Sequence, residues 1–119
     1  MVGNDVDEHG CKGSAGYQWS AVRQECLRIF EAGIRLDAQA NGLDKSLSAF
    51  VVFKSDTVDA QAELFLPGEK QSVMLGKTKA EDAGTWTNHA YSLTQWKGMY
   101  TLTTATKTDS VLYQGPTVR

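Results

Sequence analysis

Apolar and polar residues alternate along much of the chain after residue 48, and this period of two is typical of β-strands with one buried face. In residues 60–66 the predicted inward positions are Ala60, Ala62, Leu64 and Leu66, and the outward ones are Gln61 and Glu63. Similar apolar or alternating runs predict further strands at residues 49–53, 72–75, 90–96, 99–104 and 111–114. Turn-forming pairs such as Pro67-Gly68 and Lys97-Gly98 separate some of these strands.

The connections between these runs are too short for the helical crossovers that parallel strands need. We therefore predict a mainly β fold, in which an antiparallel meander of seven or eight strands closes into a barrel. A β-sandwich is the alternative. The barrel is favoured because the hairpins are sequential and because closure removes exposed sheet edges.

The segment before these strands has a mixed pattern. Ser20 is a plausible N-cap for a short helix that continues to Cys26. Residues 27–36 then predict one strand that is kinked or bulged at Gly33. A helix that continues from Ser20 is the rival interpretation, since Ile29 and Phe30 also suit a period of 3.6.

Cys11 and Cys26 both lie in the N-terminal quarter of the chain. They fit either one disulfide in a secreted protein or two free thiols in a cytosolic one. The disulfide is favoured because Cys11 lies in a polar, glycine-rich segment, where a buried thiol would find little core. It would tether the short N-terminal helix. A zinc site that adds His9 and His89 is a third interpretation, but the paired C-x2-C spacing of structural zinc sites is absent.

The length of 119 residues and the apolar fraction of 41% fit one domain with a modest core. Residues 1–10 are polar and acidic and predict a flexible tail, which leaves residues 11–119 for a single barrel domain. The net charge of −2, without a basic block, argues against nucleic acid as a partner. We expect a monomer.

No catalytic pattern is visible in the sequence. The H-E-x-x-H, P-loop and G-x-G-x-x-G motifs are absent, and no Ser or Cys is placed beside His9 or His89 to suggest a triad. Asp56 and Asp59 flank a turn, but the D-x-D-x-D-G run of a calcium loop is missing. We therefore predict a protein that is not an enzyme and that uses no cofactor or metal.

The sequence predicts a binding segment in the loop at residues 76–88. Its proposed contact residues are Lys77, Lys79, Gly84, Thr85 and Trp86. A tryptophan in a loop is costly to leave in water and is a frequent anchor at protein interfaces. The alternative is that Trp86 begins the next strand and packs on the end of the barrel.

Several short motifs between residues 71 and 104 resemble one known family. They are Val73-Met74-Leu75, Ala83-Gly84-Thr85-Trp86, the run Tyr91–Trp96, Lys97-Gly98 and the threonine-rich strand after it. Together they resemble the central part of the C-type lysozyme inhibitors, small periplasmic or lipid-anchored barrels of Gram-negative bacteria. The resemblance implies a barrel whose partner is a lysozyme or another hydrolase.

In that family a Ser-Gly-x-x-Tyr loop enters the lysozyme cleft, where a serine and a basic residue meet the catalytic acids. In this sequence Ala83 stands at the position of the serine, and Thr85 stands where a basic residue is frequent. Trp86 replaces the tyrosine. The resemblance thus places the contact on the same loop, with different side chains.

Residues 11–36 are similar to the N-terminal segments of small uncharacterised secreted proteins or lipoproteins of Bacteroides-like bacteria. The similar stretches are residues 14–20 and 26–30. This similarity implies a periplasmic, outer-membrane-anchored or secreted location, an export signal that has been removed, and a lipid anchor on the precursor. It also supports the disulfide.

Two other functions stay open from the sequence. A small-ligand carrier would use a barrel interior lined by Phe50, Phe53, Leu64 and Tyr91. A barrel of this size either holds one small ligand or is filled by its own side chains. A structural envelope protein would have no ligand.

Overall fold

The computed structural model describes residues 8–40, 42–44, 46–53, 61–69, 71–77, 84–96, 98–107 and 110–116. Two strands, β1 (Tyr17–Ser20) and β2 (Glu25–Arg28), form an N-terminal hairpin, and a single helical turn, α1 (Ile29–Ala32), follows. The other strands of this part of the chain are β3 (Ile34–Ala38), β4 (Ser48–Phe53), β5 (Gln61–Phe65), β6 (Val73–Lys77), β7 (Thr85–Thr87), β8 (Tyr91–Trp96), β9 (Met99–Thr104) and β10 (Val111–Pro116).

Strands β3 to β10 form a closed antiparallel barrel of eight strands. Each strand pairs with its neighbour in sequence, and β10 returns to pair with β3 at Tyr113↔Ala38 and Gln114↔Asp37. The predicted mainly β fold and the antiparallel meander barrel are therefore confirmed. No helix in the described residues is long and apolar enough to cross a membrane.

Inward-facing side chains of the barrel strands form the main core. The bulky members are Leu36, Val51, Phe53, Leu64, Leu75, Trp86, Leu93, Tyr100, Leu102 and Tyr113. The rings of Phe53, Trp86 and Tyr100 form an aromatic cluster, with centroids 5.2 Å apart for Phe53–Trp86 and 6.1 Å apart for Trp86–Tyr100. These rings occupy the interior between β4, β7 and β9.

A second, smaller core lies on the outer face of β4 and β5. Ile29 of α1 packs there with Val52 and Phe65, and Val22, Leu27 and Phe50 surround them. The N-terminal hairpin and α1 thus cover one side of the barrel. Because β4 has a covered outer face as well as a buried inner one, its sequence is a continuous apolar run and does not alternate.

The carboxylate of Glu63 attaches the hairpin to the barrel. Glu63 points outward from β5, yet it is 0% exposed because the turn of the hairpin lies over it. One oxygen, Oε1, accepts hydrogen bonds from Ser20 Oγ (2.7 Å) and from the Val22 N–H (3.3 Å). The other, Oε2, accepts from the Ala21 N–H (2.8 Å) and from Ser72 Oγ (2.6 Å).

The predicted helix from Ser20 to Cys26 is wrong. Ser20 ends β1 and, instead of capping a helix, donates its hydroxyl to Glu63. Gln24 takes a left-handed backbone conformation (φ 56°) in the turn, and this conformation reverses the chain into β2. Only a 3-10 turn at Gly13–Ala15 and the single turn α1 are helical in the part of the chain that the structure describes.

The predicted strand over residues 27–36 is interrupted in a corresponding way. Its first residues belong to β2 and to α1, and β3 begins only at Ile34. Gly33 makes the junction, because its N–H donates to Ile29 O (2.8 Å). A Cβ at this position would lie 2.9 Å from that oxygen and 3.1 Å from the Phe50 Cβ, so α1 and β4 approach closely only beside a glycine.

The disulfide between Cys11 and Cys26 is confirmed, with Cα atoms 5.5 Å apart. It ties the segment before the 3-10 turn to β2. A disulfide is compatible with an extracytoplasmic location. Residues 1–7 of the predicted tail lie outside the described residues, and in its last part the His9 ring stacks on Trp19.

Candidate functional site

The described residues of the predicted binding segment include the end of β6 and the beginning of β7, which lie at one end of the barrel. Lys77 is the last residue of β6, and Gly84 immediately precedes β7. Lys79 lies outside the described residues, as do the other residues of 78–83. Lys77 and Thr85 are partly buried, and Lys77 is paired with Trp86 across the two strands.

Trp86 is 0% exposed and lies in the main core. It is the middle residue of β7 and pairs with Leu93 of β8, so both side chains point into the barrel. The alternative interpretation, that Trp86 begins the next strand and packs on the end of the barrel, is closer to this placement, but Trp86 lies in a separate short strand and its side chain is inside the core. The side chain is not available as a surface anchor, because the aromatic cluster already encloses it.

Gly84 is buried where β7 starts beside β8. Its carbonyl accepts a hydrogen bond from the Gln95 N–H (2.7 Å). A Cβ on Gly84 would lie 2.7 Å from the Gln95 carbonyl oxygen, so any side chain here forces the two strands apart. The role of Gly84 in this structure is to allow that close approach, which fixes where the 78–83 segment rejoins the barrel.

A different tryptophan, Trp96, lies on the surface at this end of the barrel. It is the last residue of β8, pairs with Met99 of β9, and is 69% exposed. Gln95 bonds to Gly84, so Trp96 lies close to the start of β7. From the sequence, Trp96 is predicted only as part of a strand. The signal that could have found it is its position at the end of a predicted strand, directly before the turn-forming pair Lys97-Gly98.

Among the described residues, the strand neighbours of Trp96 on its face of the barrel are uncharged. Strand pairing places Thr85 opposite Thr94 and Thr94 opposite Thr101, on the same outer face as Trp96. We call this set the Trp96 surface: Thr85, Thr94, Trp96, Met99 and Thr101. It presents one large aromatic side chain on paired strands, with hydroxyl groups on the same face and Lys77 at the adjacent barrel end.

The residues named for a carrier function do not all face the interior. Phe53 and Leu64 are in the main core, and Tyr91 packs against it. Phe50 instead faces the outer side and belongs to the second core, so its assignment to the barrel interior is wrong. The error arises because both faces of β4 are covered. Its residues are therefore apolar on both faces, and no alternation shows which side chains point into the barrel.

The metal-site alternatives receive no support from the described residues. Cys11 and Cys26 bond to each other and so provide no thiolates for zinc. His89 lies in the connection between β7 and β8. In the ranges that the structure describes, no three His, Cys, Asp or Glu residues are grouped to hold a metal. Asp56 and Asp59 lie outside these ranges.

No protein-family model, no curated protein and no solved structure matches this chain.

Proposed function

We propose that the protein is an extracytoplasmic protein-binding module, related in role to inhibitors of C-type lysozymes, and that the Trp96 surface makes the central contact. The observation that carries this proposal is the exposure of Trp96, 69%, at the barrel end where the 78–83 segment leaves and returns. Tryptophan is among the residues most enriched at the centres of protein interfaces.

The construction of the barrel end supports a binding role. Trp96 is fixed by the β8–β9 pairing, so a partner that covers it immobilises one side chain and no backbone. Binding to a preorganised surface avoids most of the ordering cost that a mobile loop would add. The threonines and Met99 around Trp96 fit the near-neutral rim that excludes water from such an anchor.

A glycosidase cleft is a suitable partner for this end of the barrel. Such a cleft holds two carboxyl groups that flank the scissile bond. Lys77 lies at the barrel end, and the chain supplies a second cation two residues later at Lys79. A contact between these lysines and acidic groups would weaken as salt is added, because exposed charges are screened.

The experiment is a calorimetric titration of a C-type lysozyme with the oxidised protein and with three variants. Trp96→Ala should weaken the complex by about 30-fold or more, the effect of removing a hot-spot aromatic. Lys79→Ala should weaken it less and reduce its salt dependence. Phe30→Ala is the matched control, because Phe30 is also an exposed aromatic (56%) but lies on α1, beside the second core.

Equal losses in Trp96→Ala and Phe30→Ala would contradict the assignment to the Trp96 surface. A protein that leaves lysozyme unbound at high micromolar concentration would overturn the choice of partner.

A further inference from the structure

A groove of about 580 Å³ lies between the N-terminal hairpin and the beginning of β6. It is separate from the Trp96 surface, since Gln71 and Ser72 lie at the end of β6 opposite to Lys77. The lining residues are Glu8, His9, Gln18, Trp19, Ala21, Gln71, Ser72 and Met74. The volume is within the usual range of small-molecule sites, about 300–1,000 Å³.

The disulfide builds the aromatic wall of this groove. Trp19 is paired directly with Cys26 in the hairpin, and Cys26 is bonded to Cys11. His9 lies two residues before Cys11 and stacks on Trp19, with ring centroids 4.2 Å apart and planes within 9° of parallel. A cross-link between distant parts of the segment therefore holds two flat rings together along one side of the groove.

Most of the other lining residues are polar, and one of them, Ser72, is held by a hydrogen bond. Ser72 donates its hydroxyl hydrogen to the buried Glu63 carboxylate (2.6 Å), which leaves the serine oxygen oriented to accept a hydrogen bond. The side-chain amides of Gln18 and Gln71 line the same space. Each amide both donates and accepts, as does a sugar hydroxyl. Ala21 and Met74 add apolar surface between the polar groups.

The charges in the groove select against anionic ligands. Glu8 contributes a carboxylate, and none of the described lining residues is a lysine or an arginine. A phosphate or carboxylate ligand would meet no fixed cation among these residues. Flat aromatic rings in the same groove as amides and a hydroxyl instead suit a molecule with apolar C–H faces and many hydroxyl groups at its edge, because the electron-rich face of an aromatic ring attracts polarised hydrogens.

We propose that this groove binds a neutral pyranose oligosaccharide, with one sugar ring against the His9–Trp19 stack and its hydroxyl groups on Gln18, Gln71 and Ser72. The site does not depend on the Trp96 surface, and the two proposals fail or succeed separately. A protein with both sites would hold a glycan on one side of the barrel and a protein on its end.

The test is an NMR titration of the oxidised, isotope-labelled protein with tri-N-acetylchitotriose, cellotriose and trigalacturonic acid. The indole N–H signals of the three tryptophans report on the groove, the core and the Trp96 surface separately. We expect saturable shifts of the Trp19 indole with at least one neutral trisaccharide below about 10 mM, the range of weak sugar affinities. The Trp96 indole should not shift.

Two variants and one control make the result specific. Trp19→Ala should weaken binding by about tenfold through loss of the aromatic contact. Gln71→Ala should weaken it several-fold, and because Gln71 is exposed this change leaves the fold intact. Trp96→Ala should bind the sugar as the unmodified protein does. The absence of saturable shifts with both neutral sugars would overturn the proposal. The proposal would also be overturned if Trp19→Ala and Gln71→Ala both bound the sugar as tightly as the unmodified protein does. Tighter binding of trigalacturonic acid than of the neutral sugars would overturn it too.

Discussion

Replacement of Glu63 by glutamine tests how the N-terminal hairpin is held on the barrel. The change keeps the size of the side chain and removes its charge and one acceptor oxygen. In the structure both carboxylate oxygens accept two hydrogen bonds each, and two of the four donors are backbone N–H groups, of Ala21 and Val22. A glutamine offers an oxygen to one pair of donors and an NH₂ group to the other.

The structure indicates which orientation of the glutamine costs less. Ser20 and Ser72 can rotate their hydroxyls and accept from an NH₂ group, but a backbone N–H cannot. The Ala21 bond is short (2.8 Å) and the Val22 bond long (3.3 Å), so the NH₂ group should turn toward Ser20 and Val22. The Val22 N–H then loses its partner.

The free energy follows from these losses. A buried donor left without a partner costs about 1–3 kcal/mol, and the remaining bonds lose the extra strength that a charged acceptor gives. The protein also regains the free energy spent on burying a charge, which reduces the net effect. We expect Glu63→Gln to lower the free energy of unfolding by about 3 kcal/mol, or the melting midpoint by roughly 10 °C for a domain of this size.

The assay is urea unfolding of the oxidised protein, followed by tryptophan fluorescence, with Ser72→Ala as the control. Ser72→Ala removes one donor and leaves both backbone bonds, so it should cost only about 1–2 kcal/mol. Native-state hydrogen exchange should show faster exchange at Ala21 and Val22 in Glu63→Gln. A Glu63→Gln protein within about 0.5 kcal/mol of the unmodified one would refute the view that these four bonds hold the hairpin.

Three further predictions concern other parts of the fold. Replacing both Cys11 and Cys26 by serine should cost about 3 kcal/mol in urea unfolding, since the disulfide closes a loop of 15 residues; unchanged stability would contradict this. Gly84→Ala should cost about 1–3 kcal/mol, because its Cβ would press on the Gln95 carbonyl oxygen, and an unaltered melting midpoint would show that the strands yield easily. Burial raises the pKa of Tyr100 and of Tyr113, the latter also through Tyr91. The folded protein disfavours the ionised forms of these two tyrosines. Their contribution to the free energy of unfolding is therefore fully present below the usual tyrosine pKa of about 10, and it should fall as the pH rises further. Absorbance at 295 nm and urea unfolding across this range should show both effects, and normal ionisation of all four tyrosines would contradict them.

Most of the barrel strands could be predicted because they have a local signal. The strands at residues 49–53, 99–104 and 111–114 show β-branched, aromatic or alternating residues, and the structure has β4, β9 and β10 there. β7 was missed because three residues, Thr85–Thr87, are too few to show a period of two. Its existence depends on pairing with β6 and β8, which no local pattern reveals.

The N-terminal hairpin and the burial of Glu63 depend on contacts that are distant in sequence. Ser20 lies 43 residues from Glu63, and the predicted cap of a helix became a donor to that carboxylate. Alternation predicted correctly that Glu63 points out of the barrel. It could not predict that a hairpin covers the outer face. Alternation shows only that a side chain points outward, and this is the same for a covered position and for one in contact with solvent.

In the candidate site, too, some features have a local signal in the sequence and others depend on contacts between distant residues. The segment that flanks the barrel end was identified from Lys77 and Gly84, which the structure places at the ends of adjacent strands. Trp96 was correctly placed in a strand, but the exposure of Trp96 and the burial of Trp86 could not be predicted, because a tryptophan at the edge of a loop is compatible with an anchor and with a core residue. Only the register Trp86↔Leu93 and the exposure of Trp96 separate them.

The most direct test of the proposed function is inhibition of a C-type lysozyme by the oxidised protein, measured as the rate of cell-wall hydrolysis. The proposal predicts inhibition at a near-stoichiometric ratio, lost in Trp96→Ala and kept in Phe30→Ala. Full lysozyme activity at a large excess of the folded protein would contradict it.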